Sequence, residues 1–358
     1  MKALILAGGT GSRLRPLTHT GAKQLIPVAN KPIIFYGLED IVKLGIKEIG
    51  MIVGDETAND VKRGVGTGER WGVNIEYIHQ KKPLGLAHCV KISKDFLREE
   101  PFIMYLGDNI LASDLKSFVD EFNKSDTNAL ILLTEVENPT EFGVVELDNE
   151  NQIKRLVEKP KNPSSNLALV GVYLFDSNIL KAVNEIKPSW RNELEITDAI
   201  QWLIGNGYKV LPHRVEGWWK DTGKPEDVLE ANRFVLQSLK REISNNTSID
   251  EASRLSGAVK VDNGVKIEKS VIRGPVVIGE GSHIIDSYIG PYTSIYYGCE
   301  VKNSEIENSI VMENTKINDI QYRLDNCLIG KEVEIKKNIN KPISVNLILG
   351  DRSKLSLK

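Results

Sequence analysis

The sequence predicts two architectures in series: an α/β domain on a mostly parallel sheet covered on both faces, then a parallel β solenoid with three sides. Three observations carry the prediction. From the start to about residue 230, short β-branched runs alternate with helix-period segments. A glycine-rich loop directly follows the first apolar run, where ligand loops stand in such sheets. Beyond residue 258, aliphatic residues recur 17 apart, at Ile267 and Ile284, Ile272 and Ile289, Ile278 and Ile295, Ile284 and Val301, and Ile289 and Ile306.

The elements follow in order. "KALILA" reads as a buried strand, and "KPIIFYGLEDIVKLG" as a helix with Pro32 in its first turn and Gly45 as its stop. "EIGMIVG", "NIEYIH" and "FIMYLGD" read as further strands, and "AHCVKISKDFL" as a helix between two of them. "PEDVLEANRFVLQSLKREI" is helical and gives way to the polar "SNNTSIDEASRLSG". The boundaries expected are a first domain over 1–240, a linker over 241–258 and a solenoid over 259–358. One 17-residue coil supplies three short strands, each with one inward aliphatic side chain, and the last coils, around "CLIGKEVEI" and "ISVNLILG", are less regular.

Composition narrows the function. A chain of 358 residues exceeds what one core usually serves. Its 46 basic and 49 acidic residues nearly balance, with no block of like charge, which argues against a nucleic-acid or membrane-surface binder. Cys89, Cys299 and Cys327 lie far apart without a zinc-site pattern, fitting packed thiols in a reducing compartment. "ALILA" is too short for a signal sequence, and no apolar run approaches the roughly 18 residues of a membrane span. The expectation is a soluble cytoplasmic protein with small-molecule partners.

The opening loop, "AGGTGSRLRP" over residues 7–16, fits neither familiar phosphate-binding spacing. Counted from Gly9, a dinucleotide loop needs a third glycine where Leu14 stands, and a Walker loop needs a lysine and Ser/Thr that do not follow. What remains is an anion cradle of backbone N–H groups from Gly8 through Gly9 and Gly11 to Ser12, with the guanidinium groups of Arg13 and Arg15. Lys23 arrives from the next segment as a further cation, and together these groups point to a phosphate chain as ligand.

Gly8 to Thr18 (G-G-x-G-x-R-L-x-P-L-T), followed by "KQLIPVANKP" from Lys23 to Pro32, closely resembles the signature of sugar-1-phosphate nucleotidylyltransferases. The likeness continues through "QKKPLGLAHCV", "YLGDNIL", "FGVVELD", "VEKPKNP", "RNELEITDAI" and "WWKDTGKPEDVLEAN", over residues 1–240. It implies a Rossmann-like sheet of the nucleotide-diphospho-sugar transferase type and, as in the family's long members, a left-handed parallel β-helix after it. The implied reaction transfers a nucleotidyl group from a nucleoside triphosphate to a sugar 1-phosphate and releases pyrophosphate. The expected pair is dTTP and glucose 1-phosphate; the alternatives are UTP or another sugar and, in a different class, a non-catalytic assembly subunit.

The residues suit this chemistry. A sugar-phosphate oxygen is already anionic near neutral pH, so the attack needs no general base, only positioning and charge stabilisation. Asp108 and Asp221, each alone equally a turn or helix-cap residue, become at the family's positions the ligands of one Mg²⁺. The resemblance assigns Arg13 to the departing phosphates, Lys23 to the α-phosphate, and Lys159 and Arg191 to the sugar phosphate. Gln80 and Gly85, with the backbone at Gly8, face the base, and Gly143, Glu158 and Val170 face the sugar. Assembly into a homo-oligomer is the role expected of the solenoid.

Overall fold

The computed structural model describes residues 1–338 and 349–356, so most of "ISVNLILG" lies outside the described residues. The chain divides into two compact units. The first comprises Met1–Thr10 with Ile34–Asp221, and the second Gly11–Ile33 with Thr222–Lys358. The strands that follow are numbered along the chain through both.

In chain order the first unit contains β1 (Lys2–Leu6); β2 (Pro27–Val28) and β3 (Lys31–Pro32) belong to the second unit. The first unit resumes with β4 (Glu48–Gly54), β5 (Asn74–Gln80), β6 (Phe102–Leu106), β7 (Asn109–Leu111) and β8 (Ala129–Glu135). It closes with β9 (Gly143–Leu147), β10 (Ile153–Glu158), β11 (Leu167–Phe175), β12 (Val210–Arg214) and β13 (Trp219–Asp221). Nine of these form one sheet in the order β10-β9-β11-β6-β1-β4-β5, with β8 joining β11 to β12. The run β6-β1-β4-β5 is parallel, as the alternating sequence pattern requires. Parallel order ends at β11, which runs antiparallel to β6, β8 and β9. All nine residues of β11 are buried, so both of its faces are covered.

The predicted helix after Pro32 spans Ile33–Lys43, and the chain turns at Gly45 with φ 78°. "AHCVKISKDFL" breaks at Ser93 into helices Leu86–Ile92 and Lys94–Leu97, because the Ser93 hydroxyl bonds back to the Cys89 carbonyl at 2.7 Å. A core from Leu4 through Met104, Tyr173 and Leu203 fills one side of the sheet. Among the described residues no helix is long and apolar enough to cross a membrane.

In the second unit, three parallel sheets of six, six and five strands stack coil on coil, consistent with a left-handed β-helix. The 17-residue registers occur as read from the sequence, with Ile267 beside Ile284, Ile272 beside Ile289 and Ile278 beside Ile295. The stretch expected to be a linker is instead a coil. Glu242–Ile243, Ser248–Ile249 and Arg254–Ser256 pair with the strands of the next turn. Ile243, Ile249 and Leu255 continue the aliphatic period of the interior coils, each in register with an aliphatic residue of the next turn, between polar residues that made the stretch read as a connector. The helix Pro225–Gln237 belongs to this same unit.

Candidate functional site

The carboxyl ends of the parallel strands place the first group of residues. Ala7 N–H donates to the Ile52 carbonyl at 2.8 Å, which carries β1 into Gly8 beside the end of β4. A Cβ at Gly54 would lie 2.8 Å from the Gly8 oxygen, so only glycine lets the two backbones approach. Gln80 stands in register with Gly54 and is buried. Its Nε2 donates to the Gly85 carbonyl at 3.3 Å and meets His88 Nδ1 at 3.0 Å. Gly85 has φ 99°, and a Cβ there would meet the Leu194 oxygen at 2.4 Å. Gly8, Gln80 and Gly85 thus come together around one amide side chain, while Gly9 is exposed.

The two residues expected to hold the metal are neighbours along the backbone pairing. β7 and β13 pair antiparallel with Asn109 opposite Asp221, which sets Asp221 beside Asp108, the residue preceding Asn109. Asn109, 2% exposed, fixes Asp108. Its Nδ2 donates to Asp108 Oδ1 at 2.9 Å, and its Oδ1 accepts from Trp219 Nε1 at 2.6 Å and from Gly171 N–H at 3.3 Å. The Gly171 N–H is available because β11 shifts register against β8 between Leu169 and Tyr173. A Cβ at Gly171 would lie 2.5 Å from Asn109 Oδ1, so no larger residue fits. The sequence reading missed both; the only signal for Asn109 was its place after Asp108 in "GDN". Trp219 also packs edge-on against Phe142 at 5.5 Å, so it is both packing and donor.

The donor set suits a hard divalent cation. Among the described residues no group of three or more His, Cys, Asp or Glu could hold a metal. Two carboxylates completed by substrate phosphates is the coordination that Mg²⁺ takes in phosphoryl-transfer sites.

The third group surrounds Glu158. β9 and β10 pair Gly143 with Glu158, and a Cβ at Gly143 would crowd Thr197 Cγ2 at 2.7 Å and Glu158 Oε2 at 3.1 Å. Thr197 Oγ1 donates to Glu158 Oε2 at 3.4 Å. Arg191 lies among three carboxylates, 3.7 Å from Glu158, 3.0 Å from Glu193 and 3.3 Å from Glu195. Burial, then repulsion from Glu195, pushes the Glu158 carboxyl up to about 7, against the pull of Lys159 and Arg191. Lys159 adopts φ 43°, with its N–H on the Phe142 carbonyl at 3.0 Å. Val170 is fully buried in β11, next to Gly171. Beside the β9–β10 hairpin opens a cleft of about 600 Å³, whose lining includes Val144, Arg155, Val157, Glu158, Lys159 and Trp190.

Arg13 and Lys23 stand in the second unit, as does Gly11. Gly11 has φ 65°, and a Cβ there would meet both Lys23 Cβ and Thr18 Cγ2 at 2.9 Å. Thr18 Oγ1 donates to the Gly11 carbonyl at 2.8 Å, closing the loop that carries Arg13 against the segment that carries Lys23. The exposed Arg13 has its guanidinium against Gly223, where a Cβ would lie 2.4 Å from Nη2. Sequence reading missed the role of Gly223, whose one signal was its place two residues after Asp221.

The family model described as "Nucleotidyl transferase" matches residues 2–238. A glucose-1-phosphate thymidylyltransferase of Streptomyces griseus is 49% identical over 357 residues, covering 100% of this chain and 99% of that one. The low-salt glycan biosynthesis nucleotidyltransferase Agl11 of Haloferax volcanii is 45% identical, covering 100% of both. Among solved structures, a Bacillus anthracis chain in complex with a sucrose, provisionally assigned as a glucose-1-phosphate thymidylyltransferase, has TM-score 0.62 and 38% identity. That likeness covers 65% of this chain and 94% of the other.

Proposed function

Because this chain belongs to the nucleotidyl transferase family, we propose that it transfers the thymidylyl group of dTTP to glucose 1-phosphate, releasing pyrophosphate and giving dTDP-glucose. The full-length 49% identity to a glucose-1-phosphate thymidylyltransferase supports the substrate pair. The observation that carries the reaction class is the juxtaposition of Asp108 and Asp221 at the end of the β7–β13 ribbon, with Asp108 hydrogen-bonded to Asn109.

The sugar-phosphate oxygen attacks the α-phosphorus and the bond to the departing pyrophosphate breaks; no side chain needs to remove a proton. Asp108 and Asp221 would hold a divalent metal, assigned as Mg²⁺, which would offset the phosphate charge. Arg13, with the N–H groups of Gly8, Gly9 and Gly11, receives the departing phosphates, and Lys23 offsets charge at the α-phosphate. Gln80 offers the base edge a donor and an acceptor, and Gly85 permits close approach. Glu158 accepts from sugar hydroxyls beside Gly143 and Val170, and Lys159 and Arg191 grip the sugar phosphate. Arg191 exchanges part of its contact with Glu193 and Glu195 for that phosphate. The solenoid unit joins copies of the chain into a homo-oligomer.

Pyrophosphate release measured across four nucleoside triphosphates and several sugar 1-phosphates tests the reading. The highest kcat/KM is expected for dTTP with glucose 1-phosphate; preference for UTP or another sugar would replace the substrate assignment. Turnover with no pair would favour a non-catalytic assembly subunit. Asp108→Ala and Asp221→Ala should each lose about 10²-fold or more in rate, and full activity in both would remove the metal assignment.

A further inference from the structure

The hairpin of β2 and β3 turns on Ala29 and Asn30, with φ 47° and 59°. A two-residue hairpin turn with both φ values positive normally takes Asn-Gly, because a Cβ in this region is strained. Alanine holds such a conformation only where its surroundings over-determine it. Here they do, and every contact lies within the second unit. Ala29 N–H donates to Asn232 Oδ1 at 2.8 Å, and Asn30 Nδ2 donates to the Ile295 carbonyl at 2.7 Å. Asn232, 1% exposed on the helix Pro225–Gln237, also donates through Nδ2 to the Tyr292 carbonyl at 3.0 Å and accepts from Ser294 Oγ at 2.7 Å. One buried amide thus ties the turn to a solenoid coil.

The constraint continues from the turn to the cations. Ile33 N–H bonds to the Ile26 carbonyl at 3.1 Å, and Ile26 N–H to the Lys23 carbonyl at 3.2 Å. Lys23 Cβ in turn packs against Gly11, at the base of the loop bearing Arg13. Two more contacts brace that loop, Lys331 Nζ to the Thr20 carbonyl at 3.1 Å and Arg352 Nη1 to the Ser12 carbonyl at 2.8 Å. We propose that Asn232 is a positioning residue that mounts the Arg13–Lys23 segment on the solenoid, so that the solenoid sets the grip on the triphosphate in addition to any role in assembly. This rests on the reading of Arg13 and Lys23 as triphosphate ligands.

The full-length variants Asn232→Ala, Asn30→Ala and the double variant Ala29→Gly/Asn232→Ala test it, each assayed well below its own Tm. Asn232→Ala should raise KM for dTTP about tenfold while KM for glucose 1-phosphate moves by less than about twofold. Glycine at 29 removes the strain that the lost bond had offset, so the double variant should recover about half of the logarithmic loss. Asn30→Ala should shift KM for dTTP in the same direction by less, and it carries the test if Asn232→Ala fails to fold. In hydrogen–deuterium exchange, residues 22–33 should exchange faster in Asn232→Ala while Lys2–Leu6 and Phe102–Leu106 are unchanged. Equal changes in both KM values, or unaltered exchange over 22–33, would overturn the proposal. A wild-type chain without turnover would defeat the functional reading alone, and the exchange measurement would still decide whether Asn232 mounts the segment.

Discussion

Asn109 and Glu158 show how single residues set the character of the two carboxylate sites in the first unit. Asn109 engages Asp108, Trp219 and Gly171 at once, so the Asp108 carboxylate is held in a fixed direction. Glu158 is governed instead by burial, which raises its carboxyl from 4.5 to about 7. Between those values the folded chain holds a proton that the unfolded chain has released. The stability tied to this proton is therefore fully present below pH 4.5 and is lost as pH rises through about 7. Glu158→Gln cannot ionise and escapes the loss. Its stability relative to wild type should rise by about 1–3 kcal/mol between pH 4.5 and pH 8, read from urea melts at each pH. A pH-independent difference would show that Glu158 is an ordinary carboxylate. Comparison with wild type matters, because burial shifts the neighbouring Glu193 in the same direction.

The solenoid coil is stabilised by more than its aliphatic stack. Ser253, Ser270, Ser287 and Ser304 form a ladder in which each hydroxyl accepts the backbone N–H one coil on, at 3.1 Å from Ser270, 3.1 Å from Ser287, 3.3 Å from Ser304 and 3.1 Å from Ile320. Lys269, Asp286 and Asn303, the residues before the last three serines, all have positive φ, so each coil turns at the same backbone position. The aliphatic period was legible in the sequence because it lies on every inward strand face. The serines share that 17-residue spacing, but recurrence alone does not show that each hydroxyl accepts a backbone N–H one coil on, since a serine in such a position also reads as ordinary turn chemistry. Ser287→Ala leaves the buried Ser304 N–H without its acceptor and should cost about 1–3 kcal/mol in a urea melt of the solenoid signal. A loss well below 1 kcal/mol, within the error of the melt, would remove the ladder from the account.

At the scale of the whole molecule, the two compact units do not coincide with the expected boundaries, since Gly11–Ile33 groups with Thr222–Lys358. Static light scattering of the full chain should give a multiple of the monomer mass if the solenoid serves assembly; a monomer mass would remove that role. The sequence by itself determined the α/β pattern, the 17-residue coil, and the identities of Asp108, Glu158, Arg191 and Asp221 as candidates. These are properties of periodicity and of ordered local motifs, which are fixed between near neighbours in the chain. Only the tertiary structure decided that Asn109 and Gly171 shape the place of Asp108, that Gly223 makes room for Arg13, and that Asn232 holds the Ala29 turn. The partners of Asn232 are 203, 60 and 62 residues away, and those of Asn109 include residues 62 and 110 away. A buried amide acquires its role from donors and acceptors that meet it only after folding, so its own sequence context carries no trace of them.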